Sequence, residues 1–172
     1  KLKKNKNKFR LINNEVEIFI TSSDLVFEKR LNIYMMNVLE HIKRPKDLLI
    51  ALNCKLKSSS RLFIQVPNVN SLSRQIASKM GLLNTTYTIT DFEKACGHYS
   101  NFSIDSLESM IIDSGFNIIN SFGTGLKPFS SSQIDRALEC NISNQNYIKS
   151  LFKIDSLYPN LCGSICCIAE KN

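Results

Sequence analysis

The sequence predicts an α/β protein with a mostly parallel sheet and flanking helices, on three observations. Two runs, 31–36 (LNIYMM) and 61–66 (RLFIQV), are almost continuously apolar, as befits strands covered on both faces. Between them Leu48, Leu49, Leu52 and Leu56 recur at helical spacing, giving one apolar helix face. Prolines, glycines and serine clusters then separate apolar segments along the rest of the chain, so that strands and helices alternate. A length of 172 residues, 43% of them hydrophobic, suffices for one domain with a real core.

The elements follow in order. Val16-Glu17-Ile18-Phe19-Ile20 reads as a strand, closed by the polar Thr21-Ser22-Ser23-Asp24. Leu31 to Met36 is the second. Pro45 suits the first position of a helix, which Ser58-Ser59-Ser60 ends before the third strand over 61–66. Pro67-Asn68 closes that strand, because proline cannot donate to a ladder and favours a turn. Ser71 to Met80 can form a helix, with Asn70 as a possible cap and Gly81 as its stop. Residues 82–97 stay ambiguous. Ser103 caps another helix leading to Gly115, Phe116 to Phe122 is a fourth strand, Gln133 to Leu138 and Tyr147 to Phe152 are weaker helices, and Ser164 to Ala169 is a last strand.

Charge and cysteine content narrow the function. The formal charge is +7, from 22 basic and 15 acidic residues. Lys1, Lys3, Lys4, Lys6, Lys8 and Arg10 precede the first acid, Glu15; without them 16 basic face 15 acidic residues. Residues 1–14 thus read as a basic tail or linker on a near-neutral body. That argues against specific nucleic-acid binding, which calls for basic residues interleaved with aromatics along the fold. Cys54, Cys96, Cys140, Cys162, Cys166 and Cys167 form no C-x-x-C pair, and both histidines are remote from them in sequence. Reduced, mostly buried thiols and no metal site are expected. Nothing resembles a signal peptide, and no run approaches the roughly 20 apolar residues of a membrane span. A cytoplasmic protein without a membrane span is the expectation.

In open parallel sheets ligands bind beyond the carboxyl ends of strands, which selects residues 21–24, 37–42 and 67–71. The second of these, Asn37-Val38-Leu39-Glu40-His41-Ile42, follows an apolar strand and precedes a helix. Then come Arg61-Leu62-Phe63-Ile64-Gln65-Val66-Pro67-Asn68, Gly97-His98-Tyr99, and Ser114-Gly115-Phe116-Asn117-Ile118-Ile119. This ordered series resembles the second half of class I S-adenosylmethionine-dependent methyltransferases, over roughly residues 15–170.

The resemblance implies a Rossmann-like sheet whose amino-terminal strands are missing, with residues 15–172 as a partial methyltransferase domain. The family binds the methionine end of S-adenosylmethionine over a glycine-rich turn after its first strand. No G-x-G-x-G occurs here, and Gly123-Thr124-Gly125 lies after a late strand, where a turn is the simpler reading. Val16–Ile20 would be the family's third strand, left as an orphan edge, and the chain an incomplete copy of a working enzyme. Ser58-Ser59-Ser60 replaces a common proline–glycine turn, and Asn32 a common aspartate.

The residues so implied are these. Thr21 and Ser22 either contact the cofactor or form a polar turn, and Asn37 faces the cofactor from the end of its strand. Glu40 and His41 act at the site or hold structure, Glu40 near a helix start and His41 on a backbone group. Pro67 and Asn68 shape the acceptor side, and Arg74 meets an anionic acceptor or stays solvated. His98, in the acceptor loop, is the candidate general base, because its ordinary pKa of about 6.5 suits proton removal from a hydroxyl. The implied reaction is methyl transfer to a small-molecule, sugar or lipid-precursor acceptor. A non-catalytic methyltransferase-like binding module is the alternative.

Overall fold

A computed structural model describes residues 16–21 and 27–172. The tail expected over residues 1–14 and the candidate Ser22 lie outside the described residues. In chain order the elements are α1 (Val16–Thr21), β1 (Asn32–Met36), α2 (Pro45–Lys55), β2 (Arg61–Pro67), α3 (Leu72–Lys79), α4 (Asp91–Ala95), α5 (Ile104–Asp113), β3 (Phe116–Leu126), α6 (Ser131–Glu139), α7 (Gln145–Lys153) and β4 (Cys162–Lys171). Short 3-10 turns cover Leu39–His41, Asp155–Leu157 and Pro159–Leu161.

The four strands form one sheet in the order β1-β2-β4-β3. β1 pairs with β2 in parallel, and β4 is antiparallel to both β2 and β3. Three of the four strands therefore run one way, as expected of this fold class, with β4 inserted against that direction. Leu62, Ile64 and Val66 of β2 stand opposite Ala169, Cys167 and Ile165 of β4, and all six are buried. Leu48, Leu49 and Leu52 of α2, and Leu107 and Ile111 of α5, join them in a single core cluster.

The other sheet face departs from the expectation of cover on both sides. Tyr34 and Met36 are 63% and 51% exposed, and Tyr34 stacks on Phe63 at 4.7 Å between ring centroids. Alternate side chains of a strand point to opposite faces, so the run 31–36 places Leu31, Ile33 and Met35 toward the core.

The segment Val16–Ile20 is a correction: it is the body of helix α1, not a strand. Its β-branched residues favour a strand by propensity, but Val16, Phe19 and Ile20 also stand at helical spacing. Packing against the core decides between the two periods, since Ile20 is buried in the cluster and Phe19 packs on it. Asn70 is a second correction. The N-cap of α3 is Ser71, while Asn70 donates its backbone N–H to Asn68 Oδ1 at 2.9 Å in a side-chain turn. Ser103 caps α5 as expected, within a capping box with Ser106.

Candidate functional site

The site grows from the carboxyl end of β1. Asn37 takes the left-handed conformation, φ 54°, which asparagine tolerates better than most residues, and its N–H still bonds Gln65 O at 2.9 Å. The chain then coils through the turn Leu39–His41. This buries Glu40, 1% exposed, while the His41 side chain remains 39% exposed.

The 90–100 stretch folds back onto this turn. Thr90 and Glu93 form a capping box that starts α4, a T-x-x-E pattern readable in the sequence. Gly97, φ +82°, ends the helix in the left-handed manner usual at such ends. The reversal lets Tyr99 N donate to Glu40 O at 2.7 Å and brings the Gly97 carbonyl to His41 Nδ1 at 3.3 Å. His98 thereby meets His41 edge to face, with ring centroids 4.7 Å apart.

Glu40, His41 and His98, three residues selected from the sequence, thus converge, each offering a ligand atom within 4.8 Å of the others. His41 Nε2 lies 4.0 Å from Glu40 Oε1. Burial pushes the Glu40 carboxyl above its ordinary range, partly offset by its own backbone N–H and by the nearby histidines. Glu40 Oε2 and His98 Nδ1 are buried and have no hydrogen-bond partner among the described residues. Buried polar atoms are normally paired, which sets these two atoms of one cluster apart. Of the three, His41 borders a cleft with Val16, Glu17, Lys43 and Tyr99.

The other candidates take different roles. Thr21 ends α1 rather than a strand, and its hydroxyl donates to Glu17 O at 2.6 Å. Asn68 is buried and donates from Nδ2 to Asn160 O and Cys162 O, both at 2.9 Å, tying β2 to the start of β4. Pro67 stands opposite Ser164 as the last residue of β2. Arg74 is neither solvated nor open: it bonds Glu93 Oε1 at 2.5 Å and the Thr86 and Thr88 carbonyls. Burial raises the Glu93 carboxyl, but bonds from Thr90 and the Arg74 charge outweigh it and hold it below the usual range. Gly123-Thr124-Gly125 forms no cofactor cradle, since the Gly125 and Leu126 N–H groups donate to the Asp155 carboxylate at 2.8 and 2.7 Å. A separate apolar cleft between α6 and α7, lined by Phe129, Ile134, Ile142, Tyr147 and Leu151, lacks any comparable group of titratable side chains.

Sequence reasoning missed that the two histidines meet each other and a buried glutamate. His41 and His98 stand 57 positions apart, and no local pattern links them. No helix among the described residues is long and apolar enough to cross a membrane.

Comparison with known proteins agrees with this architecture. A family described as a methyltransferase domain matches residues 18–121. Among solved structures the chain is similar to an S-adenosylmethionine-dependent methyltransferase from Archaeoglobus fulgidus, with TM-score 0.54 and 20% identity over 95% of this chain and 68% of that one. It is also similar to one from Mesorhizobium loti, with TM-score 0.52 and 11% identity over 86% of this chain and 62% of that one. A third, the plantazolicin methyltransferase in complex with a desmethyl analogue and S-adenosylhomocysteine, gives TM-score 0.50 and 13% identity over 92% of this chain and 58% of that one. A search of curated protein sequences gives no match. The chain thus spans about three-fifths to two-thirds of the length of these three structural neighbours. With more than half of its residues matched and its sheet in this fold, the chain belongs to the methyltransferase domain family.

Proposed function

We propose that the chain supplies the acceptor side of an S-adenosylmethionine-dependent methyltransferase that acts on a hydroxyl of a small molecule, sugar or lipid precursor. The observation that carries this reading is the convergence of Glu40, His41 and His98 beyond the end of β1, in a chain of this family. The S-adenosylhomocysteine in one structural neighbour supports the choice of cofactor. Residues 15–172 are proposed to form the domain, with residues 1–14 as its tail.

The cofactor fits these residues only in part. Asn37, exposed at the end of β1, is the proposed contact on its side of the sheet, with Thr21 and Ser22 no longer following a strand. The methionine end has no glycine-rich cradle here, because the G-x-G of β3 is committed to Asp155. When bound, the cofactor supplies an electrophilic methyl group on a sulfonium. The chain's own work is to hold the acceptor in line and keep water out. His98 is the proposed proton acceptor, and Pro67 and Asn68, at the end of β2, are proposed to shape the acceptor side. His41 fixes the loop that carries His98 through Gly97 O.

The test is methyl transfer from radiolabelled S-adenosylmethionine to a panel of hydroxylated acceptors. The His98→Gln variant is expected to lower kcat about 10²–10⁴-fold, the usual contribution of a positioned base, with a smaller change in acceptor KM. An unchanged kcat would remove His98 from the reaction. One observation favours the alternative of a non-catalytic binding module: the only G-x-G serves packing. Equilibrium dialysis separates the two readings, because a chain that binds no S-adenosylmethionine at millimolar concentration fits the module.

A further inference from the structure

The polar cluster beyond β1 has features that proton transfer does not use. Its three side chains are two imidazoles and one carboxylate, a donor set suited to zinc and similar divalent transition metals. Such cations sit about 2.0–2.2 Å from nitrogen and oxygen ligands in tetrahedral geometry, so two ligands of one ion are roughly 3.3–3.6 Å apart. His41 Nε2 and Glu40 Oε1, at 4.0 Å, stand within about half an ångström of that spacing. All three ligand atoms lie within 4.8 Å of one another, so closing on one ion needs side-chain adjustments of about 1 Å.

The surrounding hydrogen bonds point the same way. Histidine ligands commonly donate their second ring N–H to a carbonyl or carboxylate, which fixes the tautomer. The His41 Nδ1–H donates to Gly97 O at 3.3 Å, leaving the lone pair on Nε2 directed toward Glu40. The Glu40 side chain is 2% exposed, and its Oε2 has no partner among the described residues, nor does His98 Nδ1. A cation held by this cluster would offer a partner to a buried carboxylate and imidazole that otherwise lack one. The cleft bordered by His41, Glu17, Lys43 and Tyr99 lies on the His41 side of the cluster, where a ligand from solvent would approach.

We propose that Glu40, His41 and His98 bind one divalent transition-metal cation of the zinc type, with open positions facing the cleft. The site exists on this chain whether or not methyl transfer does. With the cation bound, His98 serves as a ligand, so the base role proposed above belongs to the metal-free chain. An oxygen-bearing acceptor placed on an open position would then be activated by the metal, which acidifies a coordinated hydroxyl.

Exposed thiols could bind the same metals, so the test begins from the full chain carrying Cys54→Ser, Cys96→Ser and Cys140→Ser. Cobalt(II) serves as the probe, read by visible absorption and by NMR of the histidine rings. The chain has only two histidines, so the ring signals are unambiguous and no site variant is needed. The expected result is one cobalt per chain, with both rings shifted together at equal metal occupancy. Glu40→Gln, His41→Gln and His98→Gln, each checked for native circular dichroism, are expected to weaken binding at least tenfold. The proposal is overturned if the folded protein takes up no cobalt at millimolar concentration. It is equally overturned if cobalt binds while both rings stay unshifted, as it would on a remaining cysteine. Loss of S-adenosylmethionine binding or of methyl transfer would leave these readouts unchanged, so failure of the functional reading is separable.

Discussion

Arg74 reaches from α3 to Glu93 on α4, and both side chains are largely buried, 16% and 14% exposed. The sequence offered Arg74 an anionic acceptor or solvent. The partner it found lies 19 positions on, in the stretch that sequence reading left ambiguous. Because the Glu93 pKa is lowered on folding, its carboxylate stabilises the fold above the unfolded value of about 4.3. That contribution is lost as pH falls through the folded value. Glu93→Gln is therefore expected to be less stable than the parent at pH 7, with the gap closing on acidification below about pH 4. Urea denaturation of both proteins across this range measures it, and a gap independent of pH would refute the linkage. The same pair holds α4, and hence the His98 loop, against α3.

Among the elements, β3 shows how a motif can mislead when read without its neighbours. A Cβ built on Gly123 would lie 2.1 Å from the Pro159 carbonyl oxygen and 2.8 Å from Cys162 Cβ. The glycine is there for close approach of the strand to the turn before β4. Gly123→Ala is expected to destabilise by about 1–3 kcal/mol through overpacking against backbone. For a chain of this length each kcal/mol is about 2–4 °C in Tm, so calorimetry resolves the effect. A Tm within roughly 1 °C of the parent would show that β3 relaxes freely. Helix α1 carries the converse lesson. Its six residues satisfy both a strand and a helix pattern, and burial of Ile20 in the core cluster selects the helix.

Across the whole molecule the cysteines report how the sheet is covered. Cys54, Cys96 and Cys140 are exposed, whereas Cys162 and Cys167 are buried. The sequence led us to expect mostly buried thiols, and half of them are outside. Burial, reinforced by Asp155, pushes the Cys162 thiol up to about 12, and burial raises Cys167 to about 11. The thiolate is the reactive form, so iodoacetamide at pH 8 is expected to alkylate Cys54, Cys96 and Cys140 first. Cys162 and Cys167 should be modified only after unfolding. Mass spectrometry of partial digests reads the order, and early labelling of Cys162 would contradict the packing of β4 between β2 and β3.

Apart from α4, which falls in the ambiguous stretch 82–97, the sequence by itself determined the strands and helices from Leu31 onward, because their apolar periods, proline starts and serine caps are local signals that the packed chain kept. Through the ordered V-L-E-H, V-P-N and G-H segments it also determined the family. Only the tertiary structure decided the state of α1, the antiparallel insertion of β4 and the partner of Arg74. It alone joined Glu40 and His41 to His98. Each of these depends on contacts between residues far apart in the chain, where burial and hydrogen-bond satisfaction outweigh local preference. Periodicity registers which face of an element is apolar. It carries no information about which distant polar group that element will bring alongside.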